Sequence, residues 1–273
     1  MNAVSKNSKF RQIFNSLKNL ECRAINKLPE SVVTFQSDDD RVISLPCIFN
    51  NDHKHDDLTD PKSWQVMTIR GLEDGLIVVP NILTEAASEK WFHSLLNEWP
   101  VSRSDVLKSH VPLPLKEQDK KNLRWLTFGY HHDWSSKVYD MDNYDTVPEE
   151  LYSLFCSICR LLDLKMTNPS AGIINYYNCK DRLSPHRDVS EYNHEVPLVS
   201  LSLGSAGIFM IGGQKDEDEE PIVPILVRNG DLIVMSGKRR LAYHAVPKVF
   251  CQSHLGCQKK ETRRININVR QVL

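Results

Sequence analysis

The spacing of apolar positions changes along the chain. Phe10, Ile13, Phe14, Leu17 and Leu20 recur at helical intervals, with Lys6, Lys9, Arg11 and Lys18 among them and no acid, which predicts an amphipathic helix. The stretch 31–65 is polar, carrying Asp38, Asp39 and Asp40 and then Asp52, His53, His55, Asp56 and Asp57, and reads as a solvated loop. The run Leu76 to Val79 precedes a second helical pattern that opens at Thr84, continues through Ala87, Trp91, Leu95 and Leu96, and is expected to close at Trp99-Pro100. Leu123 to Tyr130 reads as a strand, followed by a charged, aromatic loop. Pro148 then precedes a helix with Leu151, Leu154, Phe155, Ile158 and Leu161 on one face.

From Ala171 onward the period falls to two residues. Strands are predicted over 171–177, 198–203, 206–211, 222–227, 231–236 and 263–270. Asn229-Gly230, set between two apolar runs, predicts a β-hairpin. Closely spaced strands with few intervening helices indicate a mainly β fold with flanking helices, its antiparallel sheet closed or sandwiched. No GxGxxG follows a strand, which argues against a dinucleotide-binding fold.

Composition narrows this picture. At 273 residues and 41% hydrophobic content the chain can bury a sizeable core. Its 34 basic and 35 acidic side chains give no global attraction to nucleic acid, although a local basic groove is compatible with them. No apolar run approaches the roughly 18 residues needed to span a bilayer. The seven cysteines, Cys22, Cys47, Cys156, Cys159, Cys179, Cys251 and Cys257, are odd in number and scattered, and reduced thiols fit them better than a disulfide framework. Cys156 and Cys159 form a CxxC inside the helical pattern and read as helix thiols rather than a redox or metal motif.

Candidate chemistry begins at His186-Arg187-Asp188. In an extended segment the His and Asp side chains share a face, their Cα atoms about 7 Å apart, so both can reach one ion. His244 offers a third ligand. Two imidazoles and one carboxylate hold one face of an octahedral ion and leave the other positions open, as oxygen activation requires. The HxD spacing is weak by itself, since His186 and His244 also fit as hydrogen-bonded histidines and Asp188 as a turn cap. The last strand adds a second element: Arg264, Asn266, Asn268 and Arg270 alternate with Ile265, Ile267 and Val269, and guanidinium groups grip carboxylates bidentately. Asn175 and Tyr177 share a face in the same way. Arg264 and Arg270 lie about 20 Å apart along an extended strand, too far to meet one small ligand without curvature.

These segments resemble the AlkB family of Fe(II) and 2-oxoglutarate dependent dioxygenases, most of all its AlkB homologue 1 branch. The resemblance is carried by Leu123-Arg124-Trp125, Ala171 to Tyr177, His186 to Glu191, Pro197 to Gly204, Gly230 to Gly237, His244-Ala245-Val246-Pro247 and Arg264 to Leu273, in the family's order. It implies a double-stranded β-helix (a jelly roll, cupin-like) over residues 66–273, with 1–65 as an N-terminal extension and 101–150 as a substrate lid. It further implies that His186, Asp188 and His244 ligate the iron, and that Arg264, Asn175, Tyr177, Asn266 and Arg270 contact the cosubstrate 2-oxoglutarate, with O2 as the second cosubstrate. The connector Val249 to Thr262 is shorter than in the branch it resembles, and its Cys251, His254 and Cys257 read as a free surface loop.

The function implied is oxidative demethylation of N-methylated bases in tRNA or DNA. Candidate modifications are tRNA 1-methyladenine and DNA N6-methyladenine, with oxidation of wobble 5-methylcytosine in tRNA as a further outcome. Two alternatives stand beside it: a histone or other protein demethylase, and an inactive nucleic-acid-binding regulator. Trp125, Tyr130, Trp134 and Arg187 are substrate candidates, with His131, His132 and Tyr139 as further stacking groups. Lys120, Lys121, Arg124, Arg182, Lys238, Arg239 and Arg240 are candidate phosphate contacts, and the acidic loop Asp216 to Glu220 is expected to point away. A monomer is expected. The compartment is open between nucleus, cytoplasm and mitochondrion, because residues 1–20 read either as a packed helix or as a mitochondrial presequence.

Overall fold

A computed structural model describes residues 5, 8–35, 39–46, 54–214, 220–251 and 263–273. The strands are β1 (Val42–Ser44), β2 (Met67–Ile69), β3 (Leu76–Val79), β4 (Lys108–Ser109), β5 (Trp125–Asp133), β6 (Val138–Tyr144), β7 (Ala171–Tyr177), β8 (Leu183–His186), β9 (Leu198–Gly204), β10 (Ala206–Ile211), β11 (Val223–Val227), β12 (Leu232–Met235), β13 (His244–Phe250) and β14 (Arg264–Arg270). The helices are α1 (Lys9–Leu17), α2 (Glu85–His93), α3 (Trp99–Ser102) and α4 (Glu149–Leu161).

Two sheets form. The larger has ten strands in the order β1-β2-β3-β12-β9-β14-β7-β5-β4, with β6 paired to β5; the smaller has four, β11-β10-β13-β8. From β7 to β14 every connection except β10 to β11 passes from one sheet to the other, which winds the chain into a double-stranded β-helix. Both sheets are antiparallel, and side chains on alternate residues serve opposite faces. Leu198, Ile233 and Met235 of the large sheet meet Ile211, Ile225 and Val227 of the small one between the layers. On the outer side of the large sheet, Ile265, Ile267 and Val269 pack with Leu154, Phe155 and Ile158 of α4. The polar face of β14 is thereby turned toward the space between the sheets.

The amphipathic N-terminal helix forms as predicted. Ser8 Oγ accepts from the Arg11 amide at its start, and Phe10, Phe14 and Leu17 bury against Ile208, Met210 and Phe250 on the outer face of the small sheet. No helix among the described residues is long and apolar enough to cross a membrane.

Several local expectations are overturned. The stretch 31–65 is not wholly a loop: β1 pairs with β2, and Val33, fully buried, bridges to Ile225. Within that stretch, Asp38, Asp52 and His53 lie outside the described residues. Trp99-Pro100 opens α3 instead of ending the preceding helix, because a proline in the first helical turn has no amide partner to lose. The aromatic loop after β5 contains β6, which pairs back onto β5. Asn229-Gly230 does not form a hairpin, because β11 and β12 belong to different sheets. Its bonds go elsewhere: Asn229 Oδ1 accepts from the Gly204 amide, the Gly230 amide donates to Ser202, and Asp231 accepts from the amides of Asn81 and Arg228.

The reading of reduced thiols fails for one pair. The ends of β7 and β13 converge so that the Cα atoms of Cys179 and Cys251 lie 5.3 Å apart, and the two are joined by a disulfide. Cys22, Cys156 and Cys159 are not joined in disulfides, and burial pushes the Cys159 thiol up to about 12, as befits a packed helix residue. Cys47, His254, Cys257 and the acidic residues Asp216 to Glu219 lie outside the described residues.

Candidate metal centre and cosubstrate pocket

β8 ends at His186 and β13 begins at His244, and antiparallel pairing sets these two residues opposite each other. Their ring centroids are 4.2 Å apart. Asp188, two residues past the strand, folds back so that its carboxylate lies 3.7 Å from His186 Nε2 and 3.9 Å from His244 Nε2. One ligand atom from each of the three lies within 4.8 Å of the others. Each histidine turns Nδ1 to a backbone carbonyl, Ser184 at 2.9 Å and Ala242 at 3.1 Å, which places the ring N–H there and presents Nε2 as the ligand.

Electrostatics suit a cation. Burial would raise the Asp188 carboxyl, but the charges of Arg270, His244 and His186 outweigh it and hold the group well below the usual carboxylate range. Burial, assisted by His186, lowers His244 to about 4, so it is a neutral ligand near neutral pH.

The triad opens into a cavity of about 260 Å³ between the sheets. Arg264, Asn266, Asn268 and Arg270 line it from β14, and Asn175 and Tyr177 from β7. Register sets Arg264 opposite Tyr177 and Asn266 opposite Asn175. Arg264 is only 3% exposed; its Nη2 donates to Ser202 Oγ at 2.9 Å, whereas Nε and Nη1 are buried without a partner among the described residues. Two orphaned guanidinium donors beside a neutral phenol, whose hydroxyl burial pushes up to about 12, form a receptor for a carboxylate. Asn266 spends its amide nitrogen on Ser200 Oγ and the Leu201 carbonyl.

Arg270 occupies the other end of the strand. Its Nη2 donates to Asp188 Oδ2 at 3.2 Å and its Nη1 to Glu191 Oε1 at 2.8 Å, and Nε alone lacks a partner among the described residues. The two arginines thus face different surroundings, Arg264 the open cavity and Arg270 the carboxylates of Asp188 and Glu191.

The substrate candidates divide. Trp134, 43% exposed, and Arg187 line the cavity with His132 and Lys137. Trp125 does not reach it; its ring packs between those of His110 and Trp134. Tyr130 stacks on Tyr144 instead. His131 and Tyr139 are buried, held by Thr127 and Asp145 and by Glu191 respectively, which corrects their reading as stacking groups. Arg239 and Arg240 are also withdrawn as phosphate contacts: Arg239 pairs with Asp74 and Glu220, and Arg240 with Glu191, both buried. Arg124 pairs with Asp181, and Lys120 with Glu117. Sequence reading assigned no role to Glu191, whose partners lie 49 and 79 residues away and leave no local signal.

Residues 75–270 match the model of the 2OG-Fe(II) oxygenase superfamily. The chain belongs to that superfamily. Enzymes of this superfamily use Fe(II), 2-oxoglutarate and O2, and the triad and the orphaned Arg264 donors fit the first two. The chain is 40% identical to the nucleic acid dioxygenase ALKBH1 of Homo sapiens over 208 residues, which cover 68% of this chain and 53% of that protein. The chain thus spans about half the length of this relative. It is 32% identical to the N6-methyladenosine RNA demethylase ALKBH of Cryphonectria parasitica, covering 60% of this chain and 81% of that one. The solved structure of OsALKBH1 superposes with a TM-score of 0.57 at 17% identity, over 73% of this chain and 98% of its own, and shares the fold.

Proposed function

We propose that this chain is an Fe(II) and 2-oxoglutarate dependent demethylase of N-methylated bases in nucleic acid, acting on RNA or single-stranded DNA. The observation that carries the reading is the position of Trp134: an exposed indole on the rim of the cavity that holds the His186, Asp188 and His244 triad. A flat aromatic beside such a centre suits a base taken out of its stack. Similarity to the human nucleic acid dioxygenase and the fungal RNA demethylase supports it.

His186, Asp188 and His244 would hold the iron, and Arg264, with Tyr177 beside it, would hold the distal carboxylate of 2-oxoglutarate. When bound, the pair would supply oxidation of a substrate N-methyl group by O2, coupled to conversion of 2-oxoglutarate to succinate and carbon dioxide, so that the N-hydroxymethyl product would release formaldehyde. The chain's own residues contribute orientation. Arg270 keeps Asp188 ionised and aimed at the ion, and Tyr177 stays protonated as a donor. Trp134 and His132 frame the base, with Lys137 and Arg187 at the rim within reach of phosphate.

The test is a screen for 2-oxoglutarate-dependent formaldehyde release, with product mass detection. The substrates are tRNA with 1-methyladenine or wobble 5-methylcytosine, single-stranded DNA with N6-methyladenine, and methylated histone peptides. Formaldehyde release from an N-methylated nucleic acid supports the proposal, whereas oxidation of 5-methylcytosine alone, a C-methyl group that releases none, overturns the N-demethylase reading. Turnover on peptides alone identifies a protein demethylase, and binding of nucleic acid without turnover identifies an inactive regulator.

A further inference from the structure

Glu191 lies three residues beyond Asp188 and is buried away from the cavity lining, so contact with cosubstrate does not explain it. Its Oε1 accepts from Arg270 Nη1 at 2.8 Å and from the Tyr139 hydroxyl at 3.2 Å, and its Oε2 accepts from Arg240 Nη2 at 2.8 Å. Both arginines continue to Asp188. Arg270 Nη2 donates to its carboxylate at 3.2 Å, and Arg240 Nη1 to its backbone carbonyl at 2.9 Å. One buried carboxylate therefore balances two buried cations that grip the ligand by side chain and by main chain. Without it Arg240 would lose its carboxylate partner and Arg270 would keep only that of Asp188.

Tyr139 belongs to β6, the returning arm of the hairpin that carries Trp134 at its turn. A second tie joins the same segments. Ser190 Oγ donates to the Lys137 carbonyl at 2.9 Å and lies 3.0 Å from His132 Nε2. Two consecutive residues after the ligand are thus fastened to the hairpin at the cavity rim.

We propose that Glu191 is a positioning residue that sets Asp188 through Arg270 and Arg240, and that Tyr139 makes this setting depend on the seating of the β5–β6 hairpin. Metal binding and hairpin seating then reinforce each other, because each favours the same arrangement of Glu191. The inference rests on the assignment of the triad to a metal.

The experiment titrates metal-free protein with Co(II), followed by visible absorption, in wild type, Tyr139→Phe and Glu191→Gln. Hydrogen exchange over 134–144 is measured with and without the metal. Groups that orient ligands at one remove contribute roughly 10- to 100-fold to metal affinity. Glu191→Gln is expected to weaken Co(II) within that range, and Tyr139→Phe by about tenfold with an altered spectrum. Co(II) is expected to slow exchange in the wild-type hairpin and to have less effect in Tyr139→Phe. If Glu191→Gln does not fold, Tyr139→Phe decides alone. Unchanged Co(II) affinity and spectrum in Tyr139→Phe, even with a lowered melting temperature, overturn the proposal and leave the metal assignment standing. A wild-type protein that binds no Co(II) overturns both.

Discussion

Gly207 lies directly against Arg264: a Cβ added at Gly207 would stand 3.1 Å from Arg264 Cδ and 3.3 Å from its Nε. The missing side chain on β10 makes the space in which the guanidinium crosses the cavity. Gly207→Ala is therefore expected to displace the clamp by a few tenths of an ångström and to raise KM for 2-oxoglutarate roughly 3- to 10-fold, a fraction of a charged hydrogen bond. Arg264→Lys keeps the charge but loses the fork, and is expected to raise it by roughly 10- to 100-fold. Steady-state kinetics with varied 2-oxoglutarate check both, and an unchanged KM in Arg264→Lys would remove Arg264 from the cosubstrate site.

Trp134 and Trp125 are neighbours, their ring centroids 5.5 Å apart, yet only Trp134 lines the cavity. Stacking of a base on an aromatic ring contributes about 1–3 kcal/mol. Trp134→Ala is expected to raise KM for a methylated oligonucleotide by roughly 5- to 100-fold, and Trp125→Ala by less. Equal effects of the two substitutions would place the base elsewhere.

Much of the β-helix was legible because alternation is strict where a strand has one apolar and one polar face, as in β14. The elements that escaped carry weaker patterns. Pro185 interrupts β8 and Pro247 interrupts β13, while β6 exposes Asp140 and Asp142 on an edge. Asn229-Gly230 has the local chemistry of a hairpin, but which strand it meets is decided by the sheets on either side. At the site, the triad was readable as residue types, and the orphaned donors of Arg264 were not, since a partner's absence is a property of packing. Arg239 and Arg240 read as surface charge because Asp74 and Glu191 are distant in sequence.

The crossover at Asp231 gives a pH signature. Burial raises this carboxyl to about 6 from an ordinary value of 3.8, against the opposing bonds from the amides of Arg228 and Asn81. Its contribution to stability is present in full below 3.8, where it is protonated in both states. It is lost as pH rises through about 6, because the unfolded chain ionises first. The unfolding free energy of wild type relative to Asp231→Asn is expected to fall by on the order of 3 kcal/mol between these limits. A pH-independent difference in denaturant melts would contradict this.

The proposed chemistry depends most on three side chains sharing one ion. Anaerobic equilibrium titration of metal-free protein with Fe(II) in the presence of 2-oxoglutarate tests it directly. The prediction is one Fe(II) bound per chain in the wild type, lost in His186→Ala, Asp188→Ala and His244→Ala while each variant keeps its fold by circular dichroism. Wild-type Fe(II) affinity in any folded ligand variant would contradict it.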